Sequence, residues 1–214
     1  MFGTLGTLAF GGYDNVATLR FFFKSGLYRR SRNVFQVAIH RKVLLTLGNN
    51  FVVEGGATLH IGDDSGHFPR GTCSSLRIGD GARLFLEGNQ RLLSGHQIDV
   101  GNGAELRFGG GYINHDAKIS CKKSIVVGSG TIIGEDVRMM DSDSHELVGS
   151  KPPEAISIGQ SVWIGAGVTV LKNTRLGDGC VVAAGAVVTG DFPAGSLLGG
   201  FPAKVLRTGV QWRA

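Results

Sequence analysis

From Ile156 to Val188 the apolar residues fall on a beat of six. Ile158, Ile164, Val170, Leu176, Val182 and Val188 mark the beat, and two residues before each stand Ile156, Val162, Val168, Thr174, Cys180 and Ala186. The inward set therefore alternates spacings of two and four. A spacing of two is the alternation of a strand. A spacing of four carries the chain round a corner, where Gly159, Gly165, Gly177, Asp178 and Gly179 gather. An amphipathic helix needs spacings of three and four, which this segment lacks.

The same beat runs upstream with slips. It includes Leu76/Ile78, Ala82/Leu84, Ile98/Val100, Ala104/Leu106, Ala117/Ile119, Ile125/Val127, Thr131/Ile133 and Val137/Met139. Short strands joined by tight corners and stacked coil on coil make an all-β parallel β-helix, in which each coil touches only its neighbours. Three six-residue faces give a triangular coil of about eighteen residues, with room for about eight coils between residues 50 and 195. On this reading Cys180 fills an inward position as a small apolar side chain, and Cys73 and Cys121 read the same way. The glycines are corner residues rather than a dinucleotide fingerprint, since no strand–GxGxxG–helix context surrounds them.

The beat stops after Val137/Met139. Continued in register, it would turn Asp143 and His145 inward, and burying an Asp and a His in an apolar core is costly. The chain is predicted to leave the solenoid there as a loop over about 142–155 and to rejoin it at Ile156. A loop that interrupts a rigid scaffold is a common seat of function. His145 can take or give a proton near neutral pH, and Asp141 or Asp143 beside it can hold its tautomer.

Composition narrows the function. Of 214 residues, 35 are glycine and 42% are hydrophobic, which excludes collagen-like and disordered classes. The net charge of +5 suits an anionic partner such as a phosphate-bearing cosubstrate or an acidic sugar. Three scattered cysteines without a CxxC pair point to a reducing, cytoplasmic setting. No apolar run is long enough to span a membrane, and MFGTLGTLAF lacks the features of a signal peptide.

The run IGQSVWIGAGVTVLKNTRLGDGCVVAAGAVVTGDFPAGSLLGGFPAKVLR (158–207) closely resembles the C-terminal coils of the hexapeptide-repeat acyltransferases. Within that family it is most similar to sugar O-acetyltransferases acting on maltose, galactosides and surface polysaccharides. ISCKKSIVVGSGTIIGEDVRMMDSDSHEL resembles their central block, which ends in a loop carrying the catalytic histidine. The resemblance covers 98–207 well, 50–97 loosely and 1–49 not at all. It implies a left-handed β-helix, a homotrimer with active sites between neighbouring subunits, acetyl-CoA as cosubstrate, and no metal. His145 is the implied general base, with Asp143 as its catalytic partner. Trp163, Gly165, Ala166, Ala183, Ala184, Gly185 and Thr189 match positions along the pantetheine arm, and Lys204 and Arg207 the basic pair near the nucleotide phosphates. Asn114 and Asp141 match the acceptor side. Backbone N–H groups around Gly165–Ala166 suit an oxyanion. Strand alternation itself turns the Trp163 ring outward, between inward Val162 and Ile164.

Other classes remain open at this stage: an N-acetyltransferase for an amino sugar, a non-catalytic solenoid scaffold, and a β-helical metalloenzyme resembling γ-type carbonic anhydrases. The last needs histidine ligands at a spacing that the chain's six histidines do not provide. Residues 1–49 are read as an N-terminal cap or basic segment. The basic, aromatic stretch 18–47 offers peripheral contact with the inner face of an anionic membrane. No nucleic-acid-binding module is present, and residues 196–214 are read as a C-terminal extension.

Overall fold

The computed structural model describes residues 37–39, 43–62, 72–145 and 154–213. Eight rungs follow one another along an axis. The first three are β1 (Val37–Ile39), β2 (Val43–Leu47) and β3 (Val52–Gly55); β4 (Leu59–Ile61), β5 (Ser74–Ile78) and β6 (Arg83–Leu86); then β7 (Gln90–Leu92), β8 (Gln97–Val100) and β9 (Glu105–Phe108). The next two are β10 (Gly111–Ile113), β11 (Lys118–Cys121) and β12 (Ser124–Val127), then β13 (Thr131–Ile133), β14 (Arg138–Met140) and β15 (Ile156–Ile158). In the sixth and seventh rungs one strand bends across two faces: β16 (Trp163–Ile164) leads to β17 (Thr169–Leu176), and β18 (Val181–Val182) to β19 (Val187–Phe192). The last rung is β20 (Leu197–Gly200), and β21 (Ala203–Arg207) turns back antiparallel against it.

First strands of successive rungs pair in parallel to form face A, second strands face B, and third strands face C. The sheet curls round the axis as the left-handed parallel β-helix that the beat and the resemblance predict. Every inward pair read from the sequence is buried, from Leu76/Ile78 to Ala186/Val188. Register stacks like on like: Ile39, Ile61, Leu92, Ile113, Ile133, Ile164, Val182 and Leu198 form one column behind face A. Each such side chain contributes about 1.5–3 kcal/mol relative to exposure.

The corners make stacking possible. A Cβ on Gly159 would sit 2.4 Å from the Asp178 Oδ1 and 2.7 Å from its backbone N in the next rung, so only a bare α-carbon fits. Gly179, the residue after Asp178 in that corner, has φ +67, a conformation that favours glycine. At such corners an Asx side chain after a glycine accepts a backbone N–H from the rung below. Asp178 takes Gln160 N–H at 2.7 Å, Asn102 takes Asp80 N–H at 3.1 Å, and Asn89 takes Thr58 N–H at 3.0 Å. These bonds satisfy donors that the ladder leaves over at each bend.

Four findings differ from the sequence reading. Among the described residues the ladder begins at Val37, and 37–39 and 43–47 already form rung strands; residues 1–36 and 40–42 of the stretch read as a cap or basic segment lie outside the described residues. It also continues through Gly200, beyond residue 195. Neighbouring rungs on face B are about twenty residues apart at Ile119 and Met139, because the upstream corners hold extra residues. Cys73 is exposed, not inward: Ser74 takes the inward place there, while Cys121 and Cys180 are buried as read.

The extra corner residues bring polar groups inside. Between faces A and B, Ser74, Ser94, His96 and His115 are all buried. His96 Nδ1 accepts the Ala117 N–H at 3.2 Å, and His115 Nδ1 accepts the Ser94 N–H at 3.3 Å. Each neutral ring must then carry its proton on Nε2, which has no partner among the described residues. Burial first, and the nearby His115 second, push His96 down to about 4.

The unfolded chain thus binds more protons than the folded one between about pH 4 and 6.5. Stability from neutral His96 is complete above about 6.5 and falls as pH drops toward 4, by roughly 3 kcal/mol. His96→Asn keeps an acceptor for Ala117 N–H but does not titrate. Thermal midpoints measured across this range are expected to fall less steeply in the variant than in the parent; parallel slopes would contradict the assignment.

Candidate functional site

The residues singled out in the sequence divide between two corners of the solenoid. The A–B corner carries Asn114 after β10, Gly165 and Ala166 after β16, and Ala183, Ala184 and Gly185 after β18. The sixth and seventh rungs of this edge are nearly bare of side chains, while Phe201 stands exposed at the corner of the last. A Cβ on Gly134 would meet Ala166 N at 2.7 Å, and one on Gly165 would meet Ala184 N at 2.7 Å, so successive turns lie flush. Ala166, Gly167, Ala184 and Gly185 are exposed. Gly165 N–H is committed to Val182 O at 2.8 Å, and Gly185 N–H to Ala166 O at 2.9 Å. Of the Gly165–Ala166 donors expected for an oxyanion, the glycine amide is therefore spent on the ladder.

β21 folds back towards this edge. Leu206 reaches Gly199, where an added Cβ would meet its Cδ1 at 2.8 Å and the Ala183 Cβ at 3.4 Å. Lys204 and Arg207 on the same strand are exposed; Lys204 pairs opposite Gly199, near the edge of small residues, and Arg207 opposite Leu197, at the other end of β20. The A–B corner fits an extended chain ending in phosphates: flush backbone for the chain, basic groups for the charge.

Trp163 is on face A and points outward, 46% exposed, as alternation requires. Trp212 stacks against it at 6.0 Å and 48°, and its Nε1–H donates to Ser161 O at 2.8 Å. Sequence reasoning missed this pairing, since nothing in the hexapeptide beat marks a tail residue that returns to an earlier rung. Tyr112, Ile132, Trp163, Val181 and Leu197 stand in register on the outer side of face A, an apolar ridge next to the bare corner.

The B–C corner carries the other group. The chain leaves face B after Met140 and rejoins face C at Ile156. Its neck is closed by Glu154 N–H to Asp141 O at 3.1 Å and by Asn173 N–H to Glu154 O at 3.4 Å. His145 is exposed on the departing arm, and residues 146–153 of the predicted loop lie outside the described residues. Asp143 pairs with Lys172 Nζ at 2.5 Å. Thr189, expected beside Ala183–Gly185, stands at this corner instead and donates its Oγ1–H to Lys172 O at 3.2 Å.

Asp141 is fully buried. Its Oδ1 accepts Lys122 N–H at 2.7 Å, and its Oδ2 accepts Lys123 and Ser124 N–H at 2.7 and 2.8 Å. Both oxygens are thus used on the corner of the rung below, and the carboxylate fixes the place where the chain departs. Cys121 lies next to it; burial, then the Asp141 charge, pushes that thiol up to about 12. Cys180 is also raised by burial. Neither is a thiolate at neutral pH. Among the described residues no group of three or more His, Cys, Asp or Glu could hold a metal ion, and no helix is long and apolar enough to cross a membrane.

Comparison with known proteins adds to this geometry. The family of bacterial transferase hexapeptides (six repeats) matches residues 155–190. WbbJ of Escherichia coli strain K12, provisionally described as a lipopolysaccharide biosynthesis O-acetyl transferase, is 32% identical over 109 residues, which is 44% of this chain and 56% of WbbJ. The 2,3,4,5-tetrahydropyridine-2,6-dicarboxylate N-acetyltransferase of Staphylococcus aureus strain JH9 is 37% identical over 87 residues, 40% of this chain and 31% of that protein. The chain thus spans less than two thirds of the length of these curated relatives. Among solved structures, the polysialic acid O-acetyltransferase OatWY superposes with a TM-score of 0.59 at 19% identity, covering 84% of this chain and 88% of its own. The polySia specific acetyltransferase NeuO gives 0.52 at 22%, covering 85% of each. These two likenesses are of fold.

Asp141→Asn leaves one oxygen for three backbone donors. The variant is expected to lose about 2 kcal/mol of stability, read as a lower midpoint in urea unfolding. An unchanged midpoint would mean that the carboxylate does not hold the corner.

Proposed function

We propose that this chain, a member of the hexapeptide-repeat left-handed β-helix acyltransferase family, transfers an acetyl group from acetyl-CoA to a hydroxyl of a saccharide acceptor. The observation that carries this reading is the bare A–B edge: Gly165–Ala166 and Ala183–Gly185 lie flush on consecutive rungs, and the exposed Lys204 pairs opposite Gly199 near the same edge. That edge suits a pantetheine arm and its phosphates, and Trp163 on the adjoining face offers an aromatic contact.

The chemistry follows from the reactants. A sugar hydroxyl is a weak nucleophile at neutral pH and needs a base within hydrogen-bond reach as it attacks the thioester carbonyl. We assign that role to His145. The hydroxyl oxygen bonds to the acetyl carbon while His145 takes its proton; the C–S bond then breaks, and the imidazolium returns the proton to the departing thiolate. No acyl-enzyme is invoked, in keeping with the protonated Cys121 and Cys180. Asn114 is assigned to the acceptor side. Asp143 belongs to the arm that carries His145, and Asp141 to its base. Thr189 joins the cosubstrate only where its corner meets another copy's edge.

The two corners are separated by the width of face B, where β14 has three residues and spans roughly 10 Å. A site that needs both His145 and the bare edge is best completed by two copies. The apolar ridge on face A supports such an assembly, read here as a homotrimer. The unpaired cysteines support a reducing, cytoplasmic setting. The charges in 18–47 support contact with the inner face of a membrane.

The similarity to an N-acetyltransferase favours a second reading, transfer to an amino sugar. An acceptor screen with polysialic acid, lipopolysaccharide and amino sugars, followed by thiol release from acetyl-CoA and NMR of the product, separates ester from amide. His145→Ala is expected to slow thiol release by about 10²–10⁴-fold with its thermal midpoint unchanged. A variant that keeps the parent rate would remove the base assignment.

A further inference from the structure

β17 crosses two faces, and its register against β19 shifts between Val170 and Thr174, so the strand bends at the B–C corner directly above the departing loop. Two residues at this bend touch the loop's two arms. Lys172 Nζ meets Asp143 Oδ2 at 2.5 Å on the outgoing arm, two residues before His145. Asn173, with φ +61, donates its N–H to Glu154 O at 3.4 Å on the returning arm. Above the bend, Thr189 Oγ1–H bonds to Lys172 O, which ties the position to the next rung. Thr174 fills the space behind it and donates to Leu171 O at 2.7 Å.

We propose that Lys172 is the positioning residue of the transferase site: through Asp143 it sets where the arm bearing His145 leaves the solenoid. This rests on the assignment of His145 as general base. Three observations carry it. First, Lys172 holds the Asp143 carboxylate through Oδ2 on the arm, two residues before His145. Second, Lys172 has a side-chain exposure of 21%, so its stem is largely packed and its ammonium is restricted in position. Third, Asp141 anchors the root of the arm, and beyond it the Ser144 N–H bond to Ser142 Oγ at 3.1 Å is internal to the arm, whereas Asp143–Lys172 ties it to the next rung. A base displaced by an ångström can lose about a hundredfold in rate, so an anchor two residues away bears on turnover. Lys172 does not touch the reacting atoms. It acts on a group that does.

The test uses the full chain and two readouts. Lys172→Met keeps the packed stem and removes the charge; Asp143→Asn removes the other partner; Lys172→Arg is the conservative control. Hydrogen exchange of the peptide spanning 141–146 needs no acceptor. Both charge-removing variants are expected to lose protection there, by about the same factor, while the rest of the solenoid stays as in the parent. The Arg variant should retain it. Thiol release with acetyl-CoA and the acceptor from the screen, or with water where none is found, is expected to fall about tenfold in kcat with the acetyl-CoA KM within about twofold. The double variant should be no slower than either single one, since the pair acts as a unit. Unchanged exchange and kcat in both variants, with His145→Ala still inactive, would overturn the inference and leave the base assignment standing. Full activity in His145→Ala would remove both.

Discussion

Coil-on-coil contact at strand spacing is the constraint on which the molecule depends. Each rung gives its backbone N–H groups to the carbonyls of the next, which holds the rungs about 4.8 Å apart. At that distance a corner admits either no side chain or one that bonds to the neighbouring rung. Gly159 under Asp178 shows both solutions at once: a bare α-carbon below, and a carboxylate above that takes the Gln160 N–H. Inside, the same spacing stacks one apolar side chain upon its equivalent, so a substitution in one column is felt by the rungs on either side. A scaffold of this kind has little freedom to bend, and its corners keep fixed relations to one another.

Fixed corners make function a matter of which corner carries what. The bare edge at Gly165 and Ala183 is smooth because the rungs there are at their shortest, with no extra residues to carry side chains outward. The B–C corner, by contrast, interrupts the ladder between β14 and β15 and spends a buried carboxylate to do so. Asp141 binds three backbone donors in the rung below, which gives the departing chain a rigid point of origin. Lys172 and Asn173 then hold the two arms from above. His145, outside the core, thereby stands on an arm held from both sides by the solenoid.

Much of this was legible in the residues. The alternation of two and four identified buried pairs from Leu76/Ile78 to Ala186/Val188, because a dry column tolerates few residue types, and passed over Gln90/Leu92 and Ile113, where the beat slips. The break at Asp141–His145 was legible for the same reason: charge cannot continue an apolar column. What escaped was set by contacts distant in sequence. Asp141 reads as a loop carboxylate until the amides of Lys122, Lys123 and Ser124 are seen beneath it. Ser74, Ser94, His96 and His115 sit where the beat slips; the wider corner takes them in and pairs Ser74 Oγ and one ring nitrogen of each histidine with backbone N–H groups. Cys73 was misread for a related reason, since a one-residue slip puts Ser74 in the inward place. Trp212 finding Trp163 could not be read from a repeat that ends before it.

The account separates the base and the cosubstrate edge onto different corners, so that one copy supplies His145 and a neighbour supplies the bare edge. Complementation tests this directly. His145→Ala lacks the base, and Ala184→Trp blocks the edge; each alone is expected to be inactive. When the two are unfolded, mixed in equal amounts and refolded together, about a quarter of all the sites should combine an intact histidine with an intact edge, and thiol release from acetyl-CoA should recover to about that fraction. Mixed assemblies that form but show no recovery would contradict a site shared between copies.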